Sequence, residues 1–231
     1  MSKASIIGAY NTKFGAFVEK NRETGEIKDT KSFYDLLEEA GRCAIEDAGI
    51  SAEEIDGIWI GSCSPSKFIN QEHVAPLGLE VAPKHLAFVP TTRTEAACAS
   101  SSVALYNAAL AVESGRFKRV LVIGVEKMNV LPTKDVAHVL ACSSYWPEEG
   151  AAGMTFPGLF AELAKGYMTH HQYSLEQMRE MFAHISALSY KNGYENPLAH
   201  FSLGGPPPIA WVLTTPKKFS ICLNLVKAVI P

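Results

Sequence analysis

The stretch RTEAACASSSVALY, residues 93–106, sets a single cysteine, Cys98, after an apolar run and ahead of a row of small residues. A thiol placed where a strand ends and a helix begins lies near backbone N–H groups that have no intrahelical partner, at the positive end of the helix dipole. Such surroundings favour the thiolate, which is the nucleophilic form. Ala99, Ser100, Ser101, Ser102 and Ala104 are all small, so the helix can approach a sheet or a neighbouring subunit closely and leave room for an acyl group. A strand-turn-helix nucleophile is a recurring arrangement for acyl transfer. A cysteine that simply fills a small gap in the core is the alternative these residues leave open.

Other reactive side chains carry weaker signals. Cys43, Cys63, Cys142 and Cys222 bring the cysteines to five, odd in number and widely spaced, with no CxxC pair. That pattern argues against a disulfide framework or a zinc knot and fits reduced thiols in a cytosolic setting, so no metal is expected. His170 and His171 are adjacent and face different directions on a helix, which suits helix-surface and helix-end roles better than one shared site. Glu126, in GVEKM, follows an apolar strand, where a carboxylate is better placed to hold loop backbone than to perform chemistry. Met128, Met154 and Met168 are flexible enough to line an acyl tunnel, although core packing accounts for each alone. VIGVEK contains no glycine-rich phosphate loop.

The elements that must hold Cys98 follow from periodicity. ASIIGAY, residues 4–10, reads as a first strand. KSFYDLLEEAGRCAIEDAG spaces Phe33, Leu36, Leu37, Ala40, Cys43, Ala44 and Ala48 helically, with Gly49 at the stop. Ser51 and Glu54 form a capping box for one short turn, and Ile58–Ile60 begin a second strand. HLAFVPTT is a third strand, CASSSVALYNAALAVESG a helix ending at Gly115, and Val120–Val125 an apolar strand whose unbroken pattern suits burial on both faces. Strands alternating with helices predict an α/β layer architecture with a largely parallel sheet. From Asn129 to Gly158 the texture turns to a long loop or cap without a clean period, followed by two helices, GLFAELAKGYMTHH and SLEQMREMFAHISALSYKNG. The second has Ser174 and Gln177 as its capping box and Gly193 as its stop.

Length and charge bound the function classes. A chain of 231 residues can bury a sizeable core. A net charge of −3 and a pI near 6.2, without a run of like charges, give no field that collects phosphate backbones, so nucleic acid is not expected as a partner. No stretch of apolar residues is long enough for a membrane span, and the apolar start breaks at Asn11, Thr12 and Lys13, which leads to a cytoplasmic expectation.

RTEAACASSSVALYNAALAVESGRFKRVLVIGVEKMN resembles the nucleophile segment of the thiolase superfamily, in its acetyl-CoA acetyltransferase and sterol-carrier-protein-type branch. AGISAEEIDGIWIGSC, FPGLFAELAKGYMTHHQYSLEQM and SYKNGYENPLAHF resemble further segments of that family in the right order, so the likeness covers residues 4 to about 201. The resemblance implies a two-half fold, each half a five-stranded, mostly parallel sheet flanked by helices. This chain would hold the first half over residues 1–128 and an α-rich loop domain over 129–201.

Cys98 matches the family's nucleophile, which takes up an acyl group as a thioester. Coenzyme A and acyl-CoA are the implied substrates, with no tightly bound cofactor. A homodimer or higher oligomer is implied, and some relatives work with a small zinc-containing OB-fold partner. Members of this branch usually carry Gly where this chain has Ser101, which puts acyl chain length in question. The family's remaining machinery comes from its second half, in NEA-, GHP- and CxG-like stretches that are not found here. Residues 202–231, acid-free and broken by three prolines, read as a frameshifted or prematurely ended tail, or as the end of a split enzyme whose second half is encoded separately. A β-ketoacyl synthase-like condensing enzyme and a non-catalytic acyl-CoA-binding or assembly subunit are the alternatives.

Overall fold

The computed structural model describes residues 3–200 and residue 202; the expected tail from 203 onward, with Cys222, lies outside the described residues. The chain divides into two compact units. One comprises the described residues up to Thr12 together with Ala16–Val139, and the other Lys13–Gly15 with the described residues from Leu140 on. The division of the longer segments falls between Val139 and Leu140.

In the first unit, β1 (Val18–Lys20) and β2 (Ile27–Asp29) pair as an antiparallel hairpin, followed by α1 (Phe33–Asp47), β3 (Gly57–Gly61), α2 (Pro65–Ile69), β4 (Thr91–Thr94), α3 (Ser100–Glu113) and β5 (Val120–Gly124); α4 (Thr133–Ala141) belongs to it as far as Val139. Helix α1 starts where the Ser32 hydroxyl accepts the Asp35 N–H while the Asp35 carboxylate accepts the Ser32 N–H, a reciprocal cap. It buries Phe33, Leu37, Gly41 and Ile45, one residue per turn on a single face. That stripe meets β3, where Ile58 and Ile60 are fully buried, and Leu121 and Ile123 of β5 in one continuous core. Fully burying side chains of this size stabilises by about 2 kcal/mol each.

Strand β3 is the centre of a parallel sheet ordered β4-β3-β5, with Ile58 opposite Thr91 on one side and Leu121 on the other. The α/β class with a parallel sheet and flanking helices therefore holds. Among the described residues that sheet has three strands, and two further strands form the separate hairpin.

Three local expectations shift. Residues 4–10 form no strand: the Ala4 and Ala9 N–H groups are taken by the carboxylates of Glu113 and Asp47, and Ile6 and Ile7 are exposed. Strand β4 begins only at Thr91. The apolar residues before it form turns, from which Leu86 reaches the core while Phe88 is exposed. Strand β5 is half-buried in alternation, with Leu121 and Ile123 inward, because it lies at the edge of the three described parallel strands.

Two more shifts concern helices. The loop expected from Asn129 contains α4. In the second unit, α5 (Phe156–His171) and α6 (Leu175–Glu195) match the two expected helices and the Ser174–Gln177 capping box is present. Helix α6 runs through Gly193, however, and ends at Glu195 with Asn196 as its cap, because a single glycine costs a helix only about 1 kcal/mol. No helix among the described residues is long and apolar enough to cross a membrane.

Candidate active site

Cys98 is exposed in the turn between β4 and α3, two residues before the first helical residue. The N-cap position is Ala99, which contributes no side-chain hydrogen bond, so no side chain competes for the opening N–H groups of the helix. The turn is locked by one serine. Ser100 Oγ accepts the Ala96 N–H at 3.0 Å and donates to the Ala97 carbonyl at 2.7 Å, while the Ser100 carbonyl accepts from the Thr94 hydroxyl at 2.9 Å. Ala97 sits at a φ of 48°, a left-handed conformation that costs a non-glycine residue energy, directly before the cysteine. Its N–H is held by the Glu95 carboxylate at 2.6 Å. The loop thus turns through a left-handed angle at Ala97 and is closed on itself by the short side chain of Ser100.

The sheet supports this turn from below through two glycines. A Cβ on Gly61, at the end of β3, would run into the Ser101 backbone and lie 2.6 Å from its nitrogen. A Cβ on Gly124, at the end of β5, would run into the Ser101 hydroxyl and lie 2.9 Å from its Cβ. The extra bulk of Ser101 is therefore accommodated against Gly124. Chain length expectations based on this residue concern a side chain that packs on the sheet.

A second constellation lies at the same end of the sheet. Glu126, two residues beyond β5, reaches across to the loop after β3, where its Oε2 accepts the Cys63 N–H at 2.6 Å and the Ser62 hydroxyl at 3.5 Å. Burial pushes its carboxyl above the ordinary carboxylate range, opposed by the N–H groups of Cys63 and Ser64, the Ser62 hydroxyl and the charge of Arg93. Its other oxygen is buried without a hydrogen-bond partner. Arg93, on β4, grips the same loop from the opposite side, donating to the carbonyls of Ser62 at 3.1 Å and Cys63 at 2.7 Å, and also to the Glu72 carbonyl at 3.3 Å. The reading of Glu126 as a holder of loop backbone matches this geometry.

The next residue points elsewhere. Lys127 is buried, its Nζ donating to Asp29 at 2.9 Å, to the Phe17 carbonyl at 3.2 Å and to the Lys31 carbonyl at 2.5 Å, so its charge is both paired and fully hydrogen-bonded. Asn129 donates to the Ala16 carbonyl.

Sequence reasoning singled out Cys98 and Glu126 but not Arg93, Ser62 or Ser100. A lone arginine within a short strand of threonines was the available signal for Arg93, since a charge there needs partners. Ser62 and Ser100, the only buried polar residues besides Lys127 among those described, carry no sequence signal that separates them from other serines.

The three-dimensional arrangement agrees with comparisons to known proteins. Residues 4–203 match the family model described as thiolase, N-terminal domain. The chain is 37% identical over 203 residues to an acetyl-CoA acetyltransferase of Methanothermobacter thermautotrophicus, covering 88% of this chain and 48% of that protein. It is 39% identical over 201 residues to an acetyl-CoA acetyltransferase of Methanocaldococcus jannaschii, covering 87% of this chain and 46% of that protein. A β-ketoacyl-[acyl-carrier-protein] synthase III of Staphylococcus saprophyticus is 31% identical over 114 residues, 48% of this chain and 34% of that protein. The chain spans about half the length of the acetyl-CoA acetyltransferases it matches. With its parallel sheet, its flanking helices and a family match over nearly all the described residues, the chain belongs to the thiolase family.

Proposed function

We propose that this chain is the nucleophile-bearing part of a thiolase-type acyltransferase, with Cys98 as the residue that carries the acyl group. The exposed thiol at the mouth of α3 is the observation that carries this reading. In the degradative direction the Cys98 thiolate attacks the keto carbon of a 3-oxoacyl-CoA. The bond between the α and β carbons then breaks, acetyl-CoA leaves as an enolate that takes up a proton, and the acyl group remains as a thioester. Free CoA attacks that thioester, giving a shortened acyl-CoA and restoring the thiol. The reverse sequence is a Claisen condensation.

The backbone N–H of Cys98 supplies one oxyanion donor, those of Ala99 and Ser100 being taken by the Ala96 and Ala97 carbonyls, while the base and the second donor come from the half of the relatives' length that this chain does not match. Losing one such donor costs about 10²- to 10³-fold in rate. The apolar face of α3, with Leu105, Tyr106 and Leu110 exposed, supports docking of that other half or of a second copy of the chain. Domain limits near residue 128, a homodimer, an OB-fold zinc-containing partner and a cytoplasmic setting belong to the same reading. A β-ketoacyl synthase-like condensing role is the second reading, favoured by the shorter match to the synthase III proteins.

The test is alkylation of Cys98 by iodoacetamide at neutral pH, located by peptide mass analysis, with and without acetoacetyl-CoA. A rate above that of a model thiol, suppressed by acetoacetyl-CoA, is expected. A rate equal to that of a model thiol, untouched by the ligand, defeats the nucleophile assignment. Thiolysis of acetoacetyl-CoA should be near background for this chain alone and rise when the remaining half is supplied.

A further inference from the structure

We propose that Glu126 and Arg93 are positioning residues for Cys98, acting through the loop Ser62–Ser64 and the turn that carries the thiol. The proposal rests on the reading of Cys98 as nucleophile and adds two residues to its machinery.

The loop after β3 is held from both flanking strands by groups of opposite charge. Its N–H at Cys63 goes to the Glu126 carboxylate, and its carbonyls at Ser62 and Cys63 go to the Arg93 guanidinium. Charge-assisted hydrogen bonds of this kind are shorter and about twice as strong as neutral ones. Ser62 is itself buried, and its N–H donates to the Thr94 carbonyl at 3.3 Å, which ties the loop to the residue after Arg93. From Thr94 the chain of contacts continues without a gap. The Thr94 hydroxyl donates to the Ser100 carbonyl, and Ser100 Oγ closes the turn of Ala96 and Ala97 beside Cys98. Arg93 is thus both the clamp on the loop and the anchor of the segment that leads five residues later to the thiol.

Side-chain chemistry explains why two charges are used where two neutral groups would satisfy the same backbone. Arg93 can donate in a fork to two successive carbonyls, which fixes the peptide planes as well as their position. The carboxylate accepts the N–H groups from the other side, and they and the guanidinium charge offset part of the cost of its burial. Arg93, with Glu72 beyond it, and the residue Cys63 are the titratable and charged groups that face Glu126 across this loop; Lys127 is committed to the hairpin. Holding a reacting group in place to well under 1 Å is worth large factors in rate, and a small displacement of Cys98 forfeits them.

The experiment uses the full chain with the variants Glu126→Gln, Glu126→Ala and Arg93→Lys. The readouts are the rate of Cys98 alkylation across a pH series and amide hydrogen exchange. Glu126→Ala and Arg93→Lys are expected to slow alkylation about tenfold at neutral pH, with faster exchange at residues 62–64 and also at 94–100. Glu126→Gln, which keeps one acceptor oxygen, is expected to fall between. The ratio of native to Glu126→Gln rates should approach one as acid protonates Glu126, a behaviour that loss of packing alone would not produce. Rates within twofold of native in all folded variants, or exchange that rises at 62–64 alone, overturn the proposal.

Should Glu126→Ala fail to fold, the two conservative variants decide it by the same readings. If native Cys98 reacts no faster than a model thiol, the nucleophile reading fails. Exchange at 94–100 in Glu126→Gln and Arg93→Lys then separately decides the coupling, which stands if exchange rises and falls if it does not.

Discussion

Glu126 and Asp35 show how one chemical group, the carboxyl, is shifted in opposite directions by its surroundings. Asp35 is held below the ordinary carboxylate range by the Ser32 hydroxyl and N–H that it caps. Its contribution to stability is therefore present above the unfolded value and lost as pH falls through the folded one. Glu126 is pushed up, chiefly by burial. Its contribution is present below the unfolded carboxylate value and lost as pH rises through the raised folded value. Glu126→Gln removes that loss. The variant should melt at the same temperature as the native chain in acid and at a higher one near neutrality, as followed by circular dichroism over a pH series. A native chain that is the more stable at neutral pH would mean that the hydrogen bonds of Cys63 and Ser64 outweigh burial. A carboxylate kept at a cost in stability fits a residue held for its effect on a site.

At the scale of elements, the seat of α3 on the sheet depends on Gly61 and Gly124. Gly124→Ala should destabilise the chain by about 1–3 kcal/mol through collision with the Ser101 side chain. Ser101→Gly in the same chain should recover most of that loss, because the obstructing atoms are side-chain atoms. Gly61→Ala meets the Ser101 backbone instead and should not be rescued by Ser101→Gly. Denaturant unfolding of the two double-mutant cycles reads the difference directly.

Elements with strong periodicity or reciprocal caps were legible: α1, α3, α5, α6 and the capping boxes at Ser51 and Ser174 lie where the residues place them. Strand β4 was misplaced because HLAFV is apolar, yet the ladder with β3 fixes pairing at Thr91–Thr94, and Leu86 reaches the core from a turn. Helix α4 was missed because its nine residues follow a proline within a stretch rich in turn formers. At the candidate site, the exposed position of Cys98 at the mouth of α3 was legible from the strand-to-helix pattern and the small residues around it. Arg93 was not, since its partners are backbone groups thirty residues away in sequence.

At the scale of the molecule, α3 is apolar around much of its circumference, burying Ala104 and Ala108 against the sheet while Leu105, Tyr106 and Leu110 remain exposed. A face of this kind binds something or aggregates. The chain on its own should self-associate in a concentration-dependent way by sedimentation velocity. Leu105→Lys combined with Tyr106→Lys should shift it toward monomer without lowering its melting temperature. Sedimentation that is monomeric throughout would show that this face needs no cover.

The residues after β5 bind the unit together in a different sense. Glu126 grips the loop beyond β3 while its neighbour Lys127 grips the hairpin at Phe17, Asp29 and Lys31. In mechanical language this is a yoke with no slack: a pull on the hairpin is delivered to the loop across one peptide bond. Lengthening the chain by a single residue between Glu126 and Lys127 would break the yoke while leaving every gripping side chain present. This junction should therefore be among the places in the unit least tolerant of insertion, although it lies just outside a strand, where insertions are ordinarily absorbed.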